Sequence, residues 1–327
     1  MMSHKSIRLG IIGLGHIADY QLSALNYLEG FDLVALCDKD RSKKAKVPGE
    51  QRFYDNSEQF FNDRLMDVAL ISVPHSSHLK ITKIALDSGV HVLIEKPLVS
   101  NSDELTVLSK LDEKFPGRVH SALHASFGAE VEWLLNNEKV IDKLELGQLV
   151  GFHCGFYDPY IEEGELKKSV AQLGGSWIDS AINALSVVGK FISPERLTLT
   201  NHSRSTIESI NCSEIQGMGT YSIQENGKKT GIGVVDTSWV TGKDQKRTQL
   251  YYQNGSILLD HSNQSVVHIK SNGESVQLAD FSSEHERLTR HYIGLYKSFR
   301  NDYLSGRSNY SHSARLHDLM FSFYSSS

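Results

Sequence analysis

The sequence predicts two folded parts: an N-terminal α/β domain on a doubly wound parallel sheet, and a C-terminal α+β domain with a large, mostly antiparallel, open-faced sheet. Three observations predict it. Short β-branched runs alternate with amphipathic stretches through the first third, a glycine-rich turn joins the first run to the first helical pattern, and after Leu149 strand-like runs succeed one another with turns between them. The chain has 327 residues, 39% hydrophobic and 22% charged, enough for two cores at roughly 150 residues per domain. The expected domains are residues 1–123 and 124–327, with the boundary around Ala122 to Phe127.

The first strand is Ile7-Arg8-Leu9-Gly10-Ile11-Ile12, followed by a helical pattern from Ile17 to Tyr27. Further strands are expected at Leu33 to Cys37, Val68 to Val73 and His91 to Glu95, with helices near Ser57 to Asn62 and Leu79 to Ser88 between them. A helix from Asp103 to Lys114, a strand near Val119 to Leu123 and a helix near Ala129 to Asn136 carry the chain out of this unit. Strands are then expected at Leu149 to Phe156, Glu214 to Ile223, Gly231 to Ser238, Arg247 to Tyr252, Ser256 to Leu259 and Val266 to Lys270. Turn signals such as Glu225-Asn226-Gly227 and Asn254-Gly255 separate them. One helix, Trp177 to Val188, interrupts this region, and two near Glu284 to Leu304 and Ser313 to Tyr324 close the chain. There is no internal repeat, and Ser325 to Ser327 is the only low-complexity stretch.

Lysine and arginine total 34 against 39 aspartate and glutamate, a formal charge of -5. No basic field exists to neutralise a phosphate backbone, so nucleic acid is not an expected partner. Cys37, Cys154 and Cys212 are widely spaced and odd in number, which indicates neither a disulfide framework nor a cysteine zinc site and fits a reducing cytoplasm. The run Ile7 to Leu14 is broken by Gly10 and Gly13, and no stretch approaches the ~18 apolar residues of a membrane span. A soluble cytoplasmic protein is expected.

Gly13-Leu14-Gly15-His16-Ile17-Ala18 lies between a predicted strand and a predicted helix, the context that a G-x-G-x-x-G/A dinucleotide fingerprint requires. Gly13 allows the tight turn, Gly15 lets the backbone approach a pyrophosphate at the helix N-terminus, and Ala18 permits close packing of helix on strand. Asp38 ends the second strand, where an acid binds a ribose 2′-hydroxyl and repels the 2′-phosphate of NADP. NAD is therefore the expected cofactor. Lys39, Arg41, Lys43 and Lys44 follow directly and could accommodate that phosphate, which leaves NADP open.

Glu95-Lys96-Pro97 directly follows the strand His91 to Glu95, so Lys96 stands at the carboxyl end of the parallel sheet, where open α/β folds bind ligands. Pro97 confines Lys96 to an extended backbone. A third constellation is Gly174-Gly175-Ser176-Trp177-Ile178-Asp179-Ser180-Ala181-Ile182-Asn183, a glycine pair before a helix. At i and i+4, Asp179 and Asn183 share one helix face. The rest of that helix is apolar, so an unpartnered Asp179 would be costly, and a buried structural hydrogen bond is the alternative reading.

Together the three motifs resemble the Gfo/Idh/MocA family of NAD(P)-dependent oxidoreductases, over almost the whole chain. Pro74-His75-Ser76-Ser77-His78 and His317-Asp318-Leu319-Met320 are also similar to family members. The resemblance implies an N-terminal Rossmann domain binding NAD, or NADP, through Gly13, Gly15, His16, Ile17, Asp38, Pro74, His75, His78, Glu95 and Lys96. Many members carry Asp-x-x-x-His on the second-domain helix, whereas this chain has Asn183 at the histidine position. Asp-x-x-x-Asn-Ala-Leu-Ser, here Asp179 to Ser186, is similar to the L-arabinose and D-galactose 1-dehydrogenase branch. Trp239 looks like that branch's sugar-contacting tryptophan and His124 like its histidine after the sixth strand, each with an ordinary packing role as its alternative. The acidic segment Asp158, Glu162, Glu163 and Glu165 does not align cleanly with the corresponding stretch of those enzymes.

The activity so implied is oxidation of an aldose at C1 to the aldonolactone, hydride passing to the nicotinamide. Asp179 would be the general base, Lys96 would stabilise the developing oxyanion and tune that base, and Asn183 would position the sugar. A dehydrogenase or reductase of another polyol or carbonyl compound is the alternative enzyme, and a dinucleotide- and sugar-binding regulator the non-catalytic alternative. Hydride transfer needs no metal. The pairs His75/His78, His120/His124 and His312/His317 have neither a neighbouring cysteine nor a His-Glu-x-x-His frame, so no metal is expected. The open sheet, with helices to cover one face only, points to a homodimer or dimer of dimers, which is also the family's habit.

Overall fold

The computed structural model describes residues 6–170, 172–207, 214–283 and 285–325. They form two compact units: residues up to Leu123 with Tyr292–Ala314, and His124–His291 with the residues from Arg315 onward. The sequence reading assigned all of 124–327 to one domain. Tyr292–Ala314 groups instead with the first unit, because its aromatic residues pack there: Phe31 meets Tyr296 and Phe299 at centroid distances of 5.4 and 6.5 Å.

In the first unit the elements run β1 (Ile7–Ile12), α1 (His16–Leu25), β2 (Phe31–Cys37), β3 (Arg52–Tyr54), α2 (Ser57–Asn62), β4 (Val68–Ile71), α3 (His78–Asp87), β5 (His91–Glu95), α4 (Ser102–Lys114) and β6 (Val119–Ala122). The six strands form one parallel sheet in the order β3-β2-β1-β4-β5-β6. Because helices cover both faces, β4 and β6 are buried at every position; β4 reads as an unbroken apolar run, whereas β6 carries His120 among small and apolar residues. The order reverses between β1 and β4, and the crevice beyond the strand ends at that reversal is where such sheets bind ligands. Asn56 and Asn101 start α2 and α4 by accepting main-chain N–H bonds, answering donors that a helix start leaves unpaired. The three-residue edge strand β3 was not expected, being too short to show a period.

The second unit contains α5 (Ala129–Asn136), α6 (Glu138–Asp142), β7 (Leu149–Pro159), β8 (Ile161–Glu162), β9 (Glu165–Leu166), a π-helical turn at Trp177–Ala181 and α7 (Ile182–Val188). Then follow β10 (Leu197–Ser205), β11 (Gln216–Glu225), β12 (Lys228–Ser238), β13 (Val240–Tyr252), β14 (Gly255–Asp260), β15 (Ser265–Lys270) and β16 (Ser275–Asp280). Eight strands form a sheet in the order β10-β11-β12-β7-β13-β14-β15-β16, antiparallel throughout except where β12 meets β7. The edge strands β10 and β16 were not expected from the sequence. One face of the sheet buries Phe152, Cys154, Val235, Thr248 and Leu250. On the other, the register aligns Ile232 and Tyr251 with Gly151, and Met218 with Asp236, so exposed apolar side chains share that face.

The helix expected near Glu284 to Leu304 is α8 (Arg287–Leu304), and the last is α9 (Tyr310–Ser325). Glu284 and Cys212 lie outside the described residues. Cys37 and Cys154 are buried free thiols that burial pushes up to about 12, so neither supplies a thiolate.

His120 on β6 is 1% exposed, with its ring edge on Phe299 at 4.8 Å, and burial pushes it down to about 4. On unfolding it regains an ordinary imidazole near 6.5, so the unfolded chain binds the extra proton between those values and stability falls as pH drops through that window. Urea titrations at pH 7 and pH 5 should show the acid loss in the wild type reduced by about 2 kcal/mol in His120→Leu; an unchanged loss would contradict this account.

Candidate active site

The glycine turn follows β1 directly. Gly13 has φ +96°, and a Cβ there would stand 2.5 Å from the main chain of Ser72, so only glycine fits. Gly15 is the N-cap of α1, makes no side-chain cap bond, and has no chain atom within 4 Å of where its Cβ would be. An open approach to unpaired helix-start N–H groups fits a pyrophosphate. Ala18 is fully buried, as close helix–strand packing requires. Exposed His16 and half-buried Ile17 open α1 at the rim of this space.

Asp38 closes the second strand against the same turn. Its Oδ2 accepts the Leu14 N–H at 2.7 Å and its Oδ1 the Asp40 N–H at 2.9 Å, which fixes the carboxylate beside the dinucleotide turn. Of the cations that follow, Arg41 pairs with Asp55 and is largely exposed. Lys46, which the sequence reading passed over, donates to the Gly15 carbonyl at 3.2 Å and to Asp19 at 2.6 Å, bracing the turn from outside.

Lys96 begins immediately beyond β5 and is half-buried, and its peptide bond to Pro97 is cis. Glu95 and His78, both expected to touch the cofactor, have their side chains engaged within the first unit. The Glu95 carboxylate is buried and accepts Gln21 Nε2 at 2.9 Å, the Tyr292 hydroxyl at 2.6 Å and the Lys96 N–H at 3.1 Å. Burial pushes this carboxyl up against those three donors. His78 is 1% exposed, with Nδ1 2.9 Å from the Pro97 carbonyl and Nε2 2.8 Å from the Val73 carbonyl; burial pushes it down to about 4, so the neutral ring has one N–H to give to one of the two. Pro74 is exposed, and His75, half-buried, bonds Ser100 Oγ at 3.0 Å; both remain on the loop after β4.

In the second unit Gly174 and Gly175 adopt positive φ, +84° and +113°, and lead into the π-helical turn. Glu214, also missed by the sequence reading, closes that start: its carboxylate accepts the Trp177 N–H at 3.0 Å, Ser176 Oγ, and the Tyr324 hydroxyl at 3.0 Å. Trp177 donates Nε1–H to the Met320 carbonyl at 3.0 Å and stacks on Phe323 at 4.0 Å, which anchors the turn in the core.

Asp179 and Asn183 are buried at 6% and 8% exposure. The regular α-helix expected there is a π turn followed by α7, a local widening frequent at functional sites. Asn183 Oδ1 is buried without a hydrogen-bond partner, an acceptor that a ligand hydroxyl would satisfy. Ser180 Oγ lies 3.4 Å from Asp179 Oδ2 and 2.9 Å from Asp158 Oδ2, and Lys246 pairs with Asp158 at 2.6 Å and with Asp244. The sequence did carry a signal for Lys246: it occupies an inward position of β13, in phase with Thr248 and Leu250.

The two expected sugar contacts are buried as well. Trp239 is 1% exposed and packs edge-on against Tyr160 at 5.5 Å, with its Nε1 buried without a hydrogen-bond partner. His124 is 6% exposed, its Nδ1 3.3 Å from that of His291, whose imidazole burial and neighbouring cations hold well below its ordinary value. Among the described residues no group of histidine, cysteine and carboxylate side chains could hold a metal, and no helix is long and apolar enough to cross a membrane.

Residues 7–122 match the sequence model of a family described as an oxidoreductase family with an NAD-binding Rossmann fold. An uncharacterized Saccharomyces cerevisiae protein is 24% identical over 302 residues, 84% of this chain and 80% of its own length. Inositol 2-dehydrogenase of Corynebacterium glutamicum is 28% identical over 152 residues, 45% of this chain; the match spans less than half of that relative, 44%. Levoglucosan dehydrogenase, solved with NADH and levoglucosan, superposes with a TM-score of 0.81 at 15% identity, covering 98% of this chain and 97% of its own, which establishes the fold.

Gly15→Val should leave thermal stability unchanged, since its Cβ position is open and its φ of -69° suits any residue, yet weaken NADH binding at least about tenfold by occupying the phosphate approach. Fluorescence titration with NADH checks this, and undiminished affinity would remove the turn from the cofactor site.

Proposed function

From the premise that the chain belongs to the Gfo/Idh/MocA oxidoreductases, an NAD-binding family, we propose that it oxidises an aldose at C1 to the aldonolactone. The observation that carries this reading is the buried Asp179 and Asn183 on one short segment behind a glycine pair, with Asn183 Oδ1 waiting for a donor. A carboxylate beside a neutral, non-titrating amide suits a substrate that presents adjacent hydroxyls.

In this reading Asp179 takes the C1 hydroxyl proton as the C1 hydrogen leaves as hydride, and the C–O bond becomes the lactone carbonyl. Bound NAD supplies the hydride acceptor at C4 of its nicotinamide. Lys96, at the end of β5, stabilises the negative charge that grows on the C1 oxygen as its proton leaves. Asn183 accepts a hydrogen bond from a neighbouring hydroxyl and fixes which carbon faces the cofactor. Asp38 selects NAD over NADP, because a 2′-phosphate would meet its carboxylate. A second reading, oxidation of a ring carbon of a cyclic polyol, is favoured by the likeness to inositol 2-dehydrogenase. The same residues serve either, since both reactions convert a secondary C–O–H to C=O.

The face carrying Met218, Ile232 and Tyr251 supports pairing of two copies through the eight-stranded sheet, with a dimer of dimers as the larger form. Sedimentation at micromolar concentration should give a dimer or larger; a monomer would refute that pairing. The unpaired buried cysteines support a cytoplasmic setting.

The decisive assay follows absorbance of reduced nicotinamide with NAD, then NADP, against arabinose, galactose, glucose, xylose and inositol. Turnover of an aldopyranose with NAD is the expected result; turnover of inositol alone would replace the first reading with the second. Lys96→Ala should abolish turnover while NADH still binds. Lost binding with intact chemistry would overturn its role.

A further inference from the structure

We infer that Ser180, oriented by the Asp158–Lys246 ion pair, is a positioning residue that holds Asp179 once Asp179 has taken the substrate proton. The inference rests on the reading of Asp179 as the base. Ser180 is 1% exposed and its single hydroxyl hydrogen faces two carboxylates, Asp158 at 2.9 Å and Asp179 at 3.4 Å. One hydrogen cannot serve both. The shorter bond takes it, and Asp158 is fixed as its acceptor by Lys246 Nζ at 2.6 Å on the other carboxylate oxygen. Lys246 is itself fixed by Asp244, which Arg287 holds at 2.9 Å.

Ser180 therefore turns oxygen lone pairs toward Asp179. Facing an ionised Asp179 these offer little, because neither oxygen has a hydrogen to give. When the C1 hydroxyl proton arrives on Asp179, the new O–H donates to Ser180 Oγ while Ser180 continues to donate to Asp158, and the chain Asp179–Ser180–Asp158 is complete. No further proton moves: the hydroxyl proton rests on Asp179 and the electron pair of the C–H bond leaves with the hydride. Tyr160, whose phenol burial and the surrounding Asp179, Asp158 and Asp244 push up, faces the same cluster as a neutral group. The interaction thus exists after proton abstraction and not before, which is the condition for raising kcat rather than tightening substrate binding.

The test uses the full chain with NAD and whichever sugar it oxidises. Ser180→Ala should lower kcat about tenfold, the scale of one hydrogen bond, with KM changed less than about twofold, and Ser180→Thr, which keeps the hydroxyl, should restore kcat. Asp158→Asn should lower kcat in the same direction, and it carries the test should Ser180→Ala fail to fold. A wild-type kcat in Ser180→Ala, or a Thr variant as impaired as Ala, overturns the inference. Asp179→Asn separates the levels. If it is inactive while Ser180→Ala is normal, only this inference falls; if it turns over normally, or no sugar is oxidised by the wild type, the reading of Asp179 as base falls and this inference with it.

Discussion

A carboxylate removed from water must be answered by donors, and in the first unit the Glu95 carboxylate makes that demand. Desolvating an ion costs several kcal/mol, and each hydrogen bond to a charged group returns about 1.5–3 kcal/mol. Glu95 is answered by Gln21 from α1, Tyr292 from α8 and the N–H of the next residue, three separated parts of the sequence brought to one point. Tyr292 is suited to this because burial and the neighbouring Glu95 push its phenol well above its ordinary range, so it stays a donor. The end of β5 is thereby fixed on both sides, and with it the backbone from which Lys96 starts. His78 completes the clamp from the far side of Pro97.

The second unit solves a different problem. Its sheet buries Lys246, Asp158, His261 and Glu130 on the same side as Leu250 and Phe152, so charge and hydrocarbon share one interior. Buried ion pairs are weak sources of stability, since attraction roughly repays desolvation. Here each is part of a longer chain: Glu130 accepts His261 Nδ1 at 2.6 Å, and His261 Nε2 meets Thr248, which meets Cys154. Such networks specify one arrangement of side chains, and the one through Lys246, Asp158 and Ser180 reaches Asp179.

How much of this was legible follows from what each signal depends on. β5 and α5 were read to the residue, because unbroken apolar runs and helical periodicity are local properties. β10 and β16 escaped because they are the two edges of the sheet, and Leu-Thr-Leu-Thr-Asn-His-Ser-Arg-Ser and Ser-Val-Gln-Leu-Ala-Asp have polar residues where a central strand would show apolar alternation. Gly13, Asp38, Lys96 and Asp179 could be placed from sequence, since a turn conformation or a strand end fixes each. The side-chain partners of Glu95 and of Lys246 could not, because they are distant in sequence: 197 residues separate Glu95 from Tyr292, and 88 separate Asp158 from Lys246.

The π turn at Trp177–Ala181 means that the local width of the helix at Asp179 depends on residue count as well as residue type. A π turn holds one residue more than the regular helix it interrupts. Deleting one residue of the turn would let the helix close normally with its flanks close to their present phase, because the wide turn absorbs the surplus residue over nearly the same rotation as the α turn that would replace it. What the surplus residue sets is the local widening that carries Asp179. For this segment a single-residue deletion is a more drastic change than most substitutions, although every side chain named in the site would still be present in the sequence.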